Sequence, residues 1–327
     1  MKDLTKGKIS TLILGFAIPV FLGNLLQLTY SLADTRIVGS FLGERSLAAV
    51  GATTTISNLI VGFLLGLANG FAIITAQKFG AGDKKRVRRS FAIALVLGVI
   101  VSAILILIGT VFINPILRFL NVPGKLFIEA KQYILIIIIG LWVTMFYDIL
   151  MAVMRAIGDT LTPLLILAIS VGLNIVLDLL FVAVWKTGTW GAAAATVLAQ
   201  FIALVICCFY MIHKYELLRL NKNDFKDLES KMIKEMLATG MSMGFMSSLV
   251  NIGSLTLQTA INKLGQEIIV AHTAARKITE IYMIMFSVFG QTMATFCGQN
   301  MGAGKVDRIK KGMKLAIIYT CVWSLLR

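Results

Sequence analysis

Long apolar runs separated by short polar segments dominate the chain. A helix needs roughly 20 apolar residues to cross the hydrocarbon of a bilayer, and unpaired backbone groups are costly there, so each long run is expected to be helical. The runs at 9–38, 47–77 and 269–300 exceed this length, which predicts tilt, kinks or protruding ends. Nine runs are distinguishable: 9–38, 47–77, 90–117, 132–154, 163–185, 190–212, 236–260, 269–300 and 313–327.

Composition agrees with an all-α polytopic membrane protein. The chain is 58% hydrophobic and only 14% charged, which leaves too little polar surface to cover a water-soluble domain. Its net charge is +15, but most of its 31 Lys and Arg residues fall in the N-terminal tail and in every second loop. The positive-inside rule therefore predicts a multi-pass protein of the cytoplasmic (inner) membrane with a cytoplasmic N-terminus. The basic charge indicates contact with membrane lipids and not with nucleic acid.

A polar segment at 213–235 divides the chain. We interpret 1–212 as an N-terminal lobe of six transmembrane helices, 213–235 as a cytoplasmic linker, and 236–327 as a partial C-terminal lobe with helices 7, 8 and part of 9. Leu42 to Ala94 aligns without a gap on Leu264 to Ala316, which pairs Gln77-x-x-Gly80 with Gln299-x-x-Gly302. Six spans separate the copies, an even number, so both enter the membrane from the same side. This predicts two six-helix bundles as parallel repeats, the second incomplete.

The ninth run stops at Arg327, short of the length needed to cross a bilayer. We expect the chain to be a fragment or a truncated gene product.

Four carboxylates interrupt the apolar runs: Asp34, Asp148, Asp178 and Glu280. A charged group at membrane depth is tolerated mainly where it faces a cavity, pairs or titrates, so a functional interpretation is the default. Asn174 lies four residues before Asp178, and this spacing places both side chains on one face of an aliphatic helix.

The N-terminal lobe can assemble two carboxylates, an amide and two hydroxyl groups. We predict a cation-coupling site of Asp34, Tyr133, Asn174, Asp178 and Thr196. Hard oxygen ligands suit a proton or Na⁺, and Na⁺ would be held by Asp34, Asn174 and Asp178. The alternative is that Asn174 and Asp178 only hydrogen-bond to neighbouring helices.

Asp148 and Glu280 have local candidates as partners. Asp148 lies near Arg155 and Asp159 in the sequence, which leaves open a structural ion pair or a transport role. Glu280 follows Arg276 by four residues, a spacing that favours a local pair on one helix face.

Pro19 lies within the first run, where a proline frees a backbone carbonyl and permits a kink, and it is a candidate hinge. The four cysteines show neither disulfide nor metal spacing, and no nucleophile, base and orienting group can be assembled around the two histidines. We therefore predict neither an enzyme nor a cofactor, apart from a coupling ion, H⁺ or Na⁺.

Six segments of the chain form a recognisable set: 32–39, the turn at 77–83, 154–160, 174–181, 191–196 and 299–304. They resemble the multidrug and toxic compound extrusion (MATE) transporters, in particular the DinF-like branch. The resemblance implies twelve helices in two lobes, a central cavity and rocker-type alternating access that exports small organic cations in exchange for H⁺ or Na⁺. It also implies a cation site matched here by Asp34, Tyr133, Asn174, Asp178 and Thr196.

The resemblance has limits. The seventh run contains no acidic residue, so the carboxylate site of the other bacterial branch has no counterpart there. The leading hypothesis is a monomeric, cation-coupled antiporter for organic cations or drugs. The alternatives are a flippase for lipid-linked oligosaccharides, whose cavity would need cationic residues, and a truncated remnant that transports nothing.

Overall fold

The architecture was analysed in a computed structural model, which describes residues 2–120, 122–226, 228–261 and 266–325. These residues form α-helices and short connecting turns without a β-strand, which confirms the predicted fold class. Leu264 and Gly265 of the predicted repeat, and Arg327, lie outside the described residues. The helices are α1 (Ile9–Gly80), α2 (Lys84–Phe119), α3 (Gly124–Ile139), α4 (Leu141–Ala156), α5 (Leu161–Asp178), α6 (Thr189–Lys214), α7 (Ser230–Ile261), α8 (Gln266–Gly302) and α9 (Val306–Leu325).

The first two apolar runs form one element, α1, which is broken at Gly43. Gly43 has φ +83° and ψ 176°, a conformation that residues with a Cβ atom rarely adopt. The break divides α1 into a first arm, 9–42, and a second arm, 44–80. The backbone stays helical through Pro19, and Gly43 is the one non-helical position within α1.

Two other runs are also irregular. The fourth run is split into α3 and α4, which meet at Gly140 with a bend of 45°. Gly140 is required because a Cβ atom there would lie 2.5 Å from Cγ2 of Val197 on α6. The fifth run ends in a π-helical turn, Leu179–Val184, which begins directly after Asp178. Such turns occur frequently at functional sites.

Length and hydropathy qualify α1, α2, α6, α5 with its π-helical turn, and 279–302 of α8 as membrane spans, and the bent α3–α4 pair can form one more. Helix α7 is outside this group, but it packs closely on the second arm of α1. A Cβ atom on Gly66 would lie 2.7 Å from Cα of Gly244, and one on Gly70 would lie 2.5 Å from Cα of Gly240. Small residues four positions apart thus face each other on both helices, as in close helix pairs within membranes.

The predicted repeat is visible as a reciprocal contact between its two copies. A Cβ atom on Gly80 would lie 1.9 Å from the backbone oxygen of Gln299, and one on Gly302 would lie 1.8 Å from the backbone oxygen of Gln77. The sequence alignment pairs Gly80 with Gly302 and Gln77 with Gln299. Exchange of equivalent partners is the property of a two-fold relation, here between parallel repeats.

The N-terminal tail, residues 2–8, lies at the same end of the bundle, which we call the basic end. Leu4 is 1% exposed, and its N–H donates to Oε1 of Gln299 at 2.9 Å. Nε2 of Gln299 in turn donates to the backbone oxygen of Ala156 on α4 at 2.8 Å. Lys305 and Arg308 donate to backbone oxygens of the tail at 2.9 to 3.3 Å. Gln299 of α8 therefore binds both the tail and the end of α4.

The predicted linker is docked on the basic start of α2. Glu229 Oε1 lies 3.3 Å from Nε of Arg86 and 3.3 Å from an Nη atom of Arg89, and Asp224 lies 3.6 Å from Nε of Arg88. Helices α6 and α7 both extend into the segment assigned to the linker, since a helix that leaves the membrane keeps its backbone hydrogen bonds while charged side chains reach water. The basic residues of α2, from which the membrane orientation was predicted, thus also bind the linker.

The turn between α4 and α5 is fixed by Asp159. Its carboxylate accepts hydrogen bonds from the backbone N–H of Thr162 at 3.1 Å, from the Thr162 hydroxyl at 2.9 Å, and from the hydroxyl of Tyr215 beyond α6. Partial burial on its own would raise the pKa of Asp159, but these hydrogen bonds outweigh it and hold the pKa below its ordinary value.

We predict that Gly66→Ala destabilises the protein by about 1–3 kcal/mol, because the new methyl group meets backbone atoms of α7. The matched control is Gly51→Ala on the same helix, where a Cβ atom meets nothing within 4 Å. This control should leave stability unchanged or raise it, since alanine favours helices over glycine. Thermal unfolding of the detergent-solubilised protein measures both variants. Equal melting temperatures for the two would contradict the close α1–α7 contact.

We also predict that Asp159→Asn lowers thermal stability at neutral pH. Because the pKa of Asp159 is lower in the folded state than in the unfolded state, its contribution is present above the unfolded value of about 3.9 and is lost as the pH falls through the folded value. The gap in melting temperature between wild type and variant should therefore shrink below about pH 4. A gap that stays constant from pH 7 to pH 3 would rule out this role for the carboxylate.

Candidate functional site

Two acidic side chains from different helices meet within the N-terminal lobe. Asp34 lies on the first arm of α1, and Asp178 is the last residue of α5, 0% exposed. Their carboxyl groups are close enough to share a hydrogen bond. An ionised carboxyl group only accepts hydrogen bonds, so a direct hydrogen bond between the two requires a proton on one of them. A proton or another cation between them would relieve the repulsion of two negative charges.

Asn174 and Thr196 complete one side of this pair. The Asn174 side chain, oriented by its hydrogen-bond partners, donates to Oδ2 of Asp178 at 2.8 Å and accepts from the backbone N–H of Thr196 at 3.3 Å. The Thr196 hydroxyl donates to the backbone oxygen of Ala192, one turn earlier on α6. The amide thereby links α5 to α6, while Oδ1 of Asp178 is buried without a hydrogen-bond partner.

Tyr30 also belongs to the site, and the sequence analysis did not identify it. Its hydroxyl lies 3.2 Å from Oγ1 of Thr196, and it is close enough to Asp34 and Asp178 to feel their charges. The signal was present in the sequence: Tyr30 lies four residues before Asp34, the spacing that joins Asn174 to Asp178.

Tyr133 of α3 closes the other side. It is within electrostatic range of Asp34, Tyr30 and Asp178, although its hydroxyl makes no hydrogen bond among the described residues. Its ring packs on an apolar cluster. The buried members of this cluster are Ile37, Val38, Val50, Val182 and Ala192.

The structure thus brings together Asp34, Tyr133, Asn174, Asp178 and Thr196, the five residues of the predicted cation-coupling site. Each of these side chains carries an oxygen atom, and oxygen atoms can bind a proton or an alkali cation. Whether they couple transport to an ion stays a prediction.

Pro19 lies away from this site. It is buried in the first arm about four turns before Asp34, beside a cavity that Asp148 also lines. Since the helix continues through it, its assignment as a hinge stays a prediction.

The two remaining carboxylates differ from each other. Glu280 lies 3.7 Å from Arg276 on the same helix face, which confirms a local pair. Asp148 does not form the structural ion pair considered for it, since no nitrogen of Arg155 lies within 4.0 Å of its carboxylate. Arg155 instead donates to Oδ1 of Asn69 at 3.4 Å, and Asp159 is bound by the α5 start and Tyr215.

Sequence and structure comparisons place the chain among known proteins. It is 30% identical to the probable multidrug resistance protein YpnP of Bacillus subtilis over 94% of this chain and 68% of that protein. It is 24% identical to a FAD transporter of Shewanella oneidensis over 100% of this chain and 73% of that protein. Its fold matches the outward-facing conformation of a multidrug resistance MATE family transporter with a TM-score of 0.92, 24% identity, and coverage of 99% of this chain and 72% of that one.

The chain therefore spans about two thirds of the length of YpnP. The MatE family model matches residues 19–180 and 242–326, in both halves of the chain. The first matched segment includes four of the five predicted site residues, and Thr196 lies after it. Together these matches show that the chain belongs to the MatE family.

Proposed function

We propose that this chain forms the N-terminal lobe and part of the C-terminal lobe of a cation-coupled antiporter, which exports small organic cations or drugs by alternating access. The observation that carries the proposal is the contact between the carboxyl groups of Asp34 and Asp178 in a helical bundle of high hydropathy. YpnP, which carries the name of a probable multidrug resistance protein, supports the substrate class.

The coupling ion is either H⁺ or Na⁺, and the physical reason is the same for both. If the cation leaves, two negative charges are left in contact in a medium of low dielectric constant, which is strongly unfavourable. The pair must then separate or take up another cation. A cationic substrate elsewhere in the protein competes by favouring the conformation in which the pair is apart.

The first arm of α1 can transmit such a movement. It carries Tyr30 and Asp34 at the site, and nearer its start Phe16 and Val20 pack on Phe289 of α8 in one buried cluster. A displacement of the first arm at the site therefore changes its contacts with α8. Coupling by relative movement of two lobes is the usual scheme for transporters built from repeats.

The orientation follows from charge. We propose that the basic end, with the N-terminal tail, is cytoplasmic, and that the chain is a monomeric multi-pass protein of the plasma membrane. At the other end Arg45, next to the break in α1, forms a 3.2 Å ion pair with Glu129 at the start of α3. The coupling site lies nearer this outer end, since Asp34 is about two turns from Gly43.

We predict that Asp34→Asn and Asp178→Asn each reduce gradient-driven transport to the level of protein-free liposomes, because a neutral amide cannot exchange a proton or hold Na⁺ by charge. Residues 1–327 are reconstituted, a fluorescent organic cation is added, and an H⁺ or Na⁺ gradient is imposed. Glu280→Gln, a carboxylate with a local ion pair, is the control and should retain transport. Transport that survives in both aspartate variants would refute the assignment. No transport by the wild type would favour the truncated remnant.

We also predict that Tyr30→Phe and Thr196→Val each raise the ion concentration for half-maximal transport by about three- to tenfold, as expected for the loss of one hydrogen bond. In the double variant this ion concentration should be no higher than in the single variant with the larger shift, since both substitutions remove the same contact. Titration of the imposed ion gradient measures the three values. Additive shifts in the double variant would show that Tyr30 does not act through Thr196.

A further inference from the structure

An apolar groove lies on the outside of the bundle between α2 and α6. Helix α4 packs on both of these helices and forms the floor of the groove, which has a volume of about 610 Å³. Each helix contributes one face, since the residues that line the groove recur at helical spacing along the chain. They are Phe91 and Leu95 on α2, Trp142, Phe146 and Leu150 on α4, and Leu204, Cys208, Met211 and Ile212 on α6.

The groove follows α4 and α6 to the basic end of the bundle. Its lining extends over 142–150 on α4 and 204–212 on α6, in each case about 12 Å of helix. Half of the hydrocarbon of a bilayer is about 15 Å thick. Leu150 and Met211 on the floor are buried, whereas Trp142 and Ile212 at the rim are 40% and 57% exposed. The groove is therefore about as long as one leaflet is deep, and it is open toward lipid.

A single charge stands where the apolar lining ends. Of the described residues that line the groove, only Arg219 is charged. Its Nε donates to the backbone oxygen of Ile212 at 2.8 Å, which fixes the guanidinium group near the end of α6. Within the described part of the chain, neither Nη atom of Arg219 has a hydrogen-bond or ion-pair partner. The remaining N–H donors are therefore available to an anion at the membrane surface.

The linker closes the groove at this end. Its 3-10 turn, Glu216–Leu218, contacts both α6 and α2. Leu218 and Leu220, on either side of Arg219 in the sequence, also line the groove, and Leu218 is 4% exposed. The apolar lining thus continues up to the guanidinium group, so a bound molecule would need an apolar chain directly attached to an anionic group.

We infer that this groove binds an anionic phospholipid of the leaflet at the basic end, with an acyl chain along α4 and α6 and its phosphate on the Nη atoms of Arg219. A guanidinium group binds phosphate through paired hydrogen bonds, and basic side chains near the membrane surface favour anionic lipids. A lipid with an ammonium group beside its phosphate is bound less tightly, because the ammonium group offsets the charge that Arg219 attracts. The inference needs only that the bundle lies in a membrane, and it is independent of the coupling site.

Fluorescence quenching tests this inference, because Trp142 lines the groove and bromine atoms quench a tryptophan that they approach closely. Trp185→Phe, Trp190→Phe and Trp323→Phe together leave Trp142 as the only tryptophan. The purified chain is titrated in detergent micelles with phosphatidylglycerol or phosphatidylcholine, each brominated in the middle of its acyl chains. Anionic phosphatidylglycerol should reach half-maximal quenching at an about tenfold lower mole fraction, the value of one charge-assisted hydrogen bond. Equal titration curves for the two lipids overturn the inference.

A second single-tryptophan variant is the control for general partition of lipid into the micelle. It keeps Trp185, which follows the π-helical turn, is 60% exposed and lies outside the groove. Both lipids should quench Trp185 at the same mole fraction. A preference for phosphatidylglycerol that is equally large at Trp185 and Trp142 contradicts a site in the groove.

Substitutions in the Trp142 variant separate the headgroup contact from the acyl-chain contact. Arg219→Gln should abolish the preference for phosphatidylglycerol, and Arg219→Lys should retain part of it, since lysine keeps the charge without the planar fork. Arg118→Gln, an exposed arginine at the other end of α2, is the matched control and should leave the tenfold preference unchanged. Cys208→Phe fills the groove and should weaken quenching by phosphatidylglycerol although Arg219 is intact. A preference that survives Arg219→Gln, or quenching that is unchanged in Cys208→Phe, overturns the inference.

Discussion

The hydrocarbon of a bilayer offers no hydrogen-bond partner to a carboxyl group, so an acidic side chain in the apolar bundle needs a partner inside the protein or a place beside a cavity. Asp34 and Asp178 find one another, and Asn174 binds the second of them. This chain of contacts joins the first arm of α1 to α5 and α6. The residues of the site are therefore also packing contacts between these three helices, and a change in the charge of the site alters those contacts.

Much of this arrangement is predictable from the sequence, because lipid forces apolar runs into helices and makes every acidic residue within them conspicuous. The spacing of Asn174 and Asp178 identified one face of α5 for the same reason. Tyr30 was not predicted because tyrosine is common in apolar runs. Only its spacing of four residues from Asp34 distinguishes it from other tyrosines. The bend at Gly140 depends on Val197, a contact between residues remote in sequence, which no local pattern contains. The missing Asp148–Arg155 ion pair likewise depends on the orientation of side chains and not on spacing.

Glycine sets the distance between the two halves of the chain. Gly66 and Gly70 admit α7 against α1, and Gly80 and Gly302 admit the backbone of the opposite repeat. Close backbone approach supplies dispersion contacts where burial from lipid gains little free energy. Gly66 and Met243 also line a cavity of about 490 Å³, which therefore lies beside the α1–α7 contact.

The N-terminal tail bears on how the two halves can part. Leu4 lies in the same buried cluster as Phe16 and Phe296, and its backbone is bound by Gln299 and Arg308. Separation of α4 from α8 has to break the hydrogen bond between Gln299 and Ala156, whereas the tail is held on the α8–α9 side by Gln299 and Arg308. Movement between the two halves at this end is therefore opposed by the side-chain hydrogen bonds of Gln299 as well as by the glycine contacts.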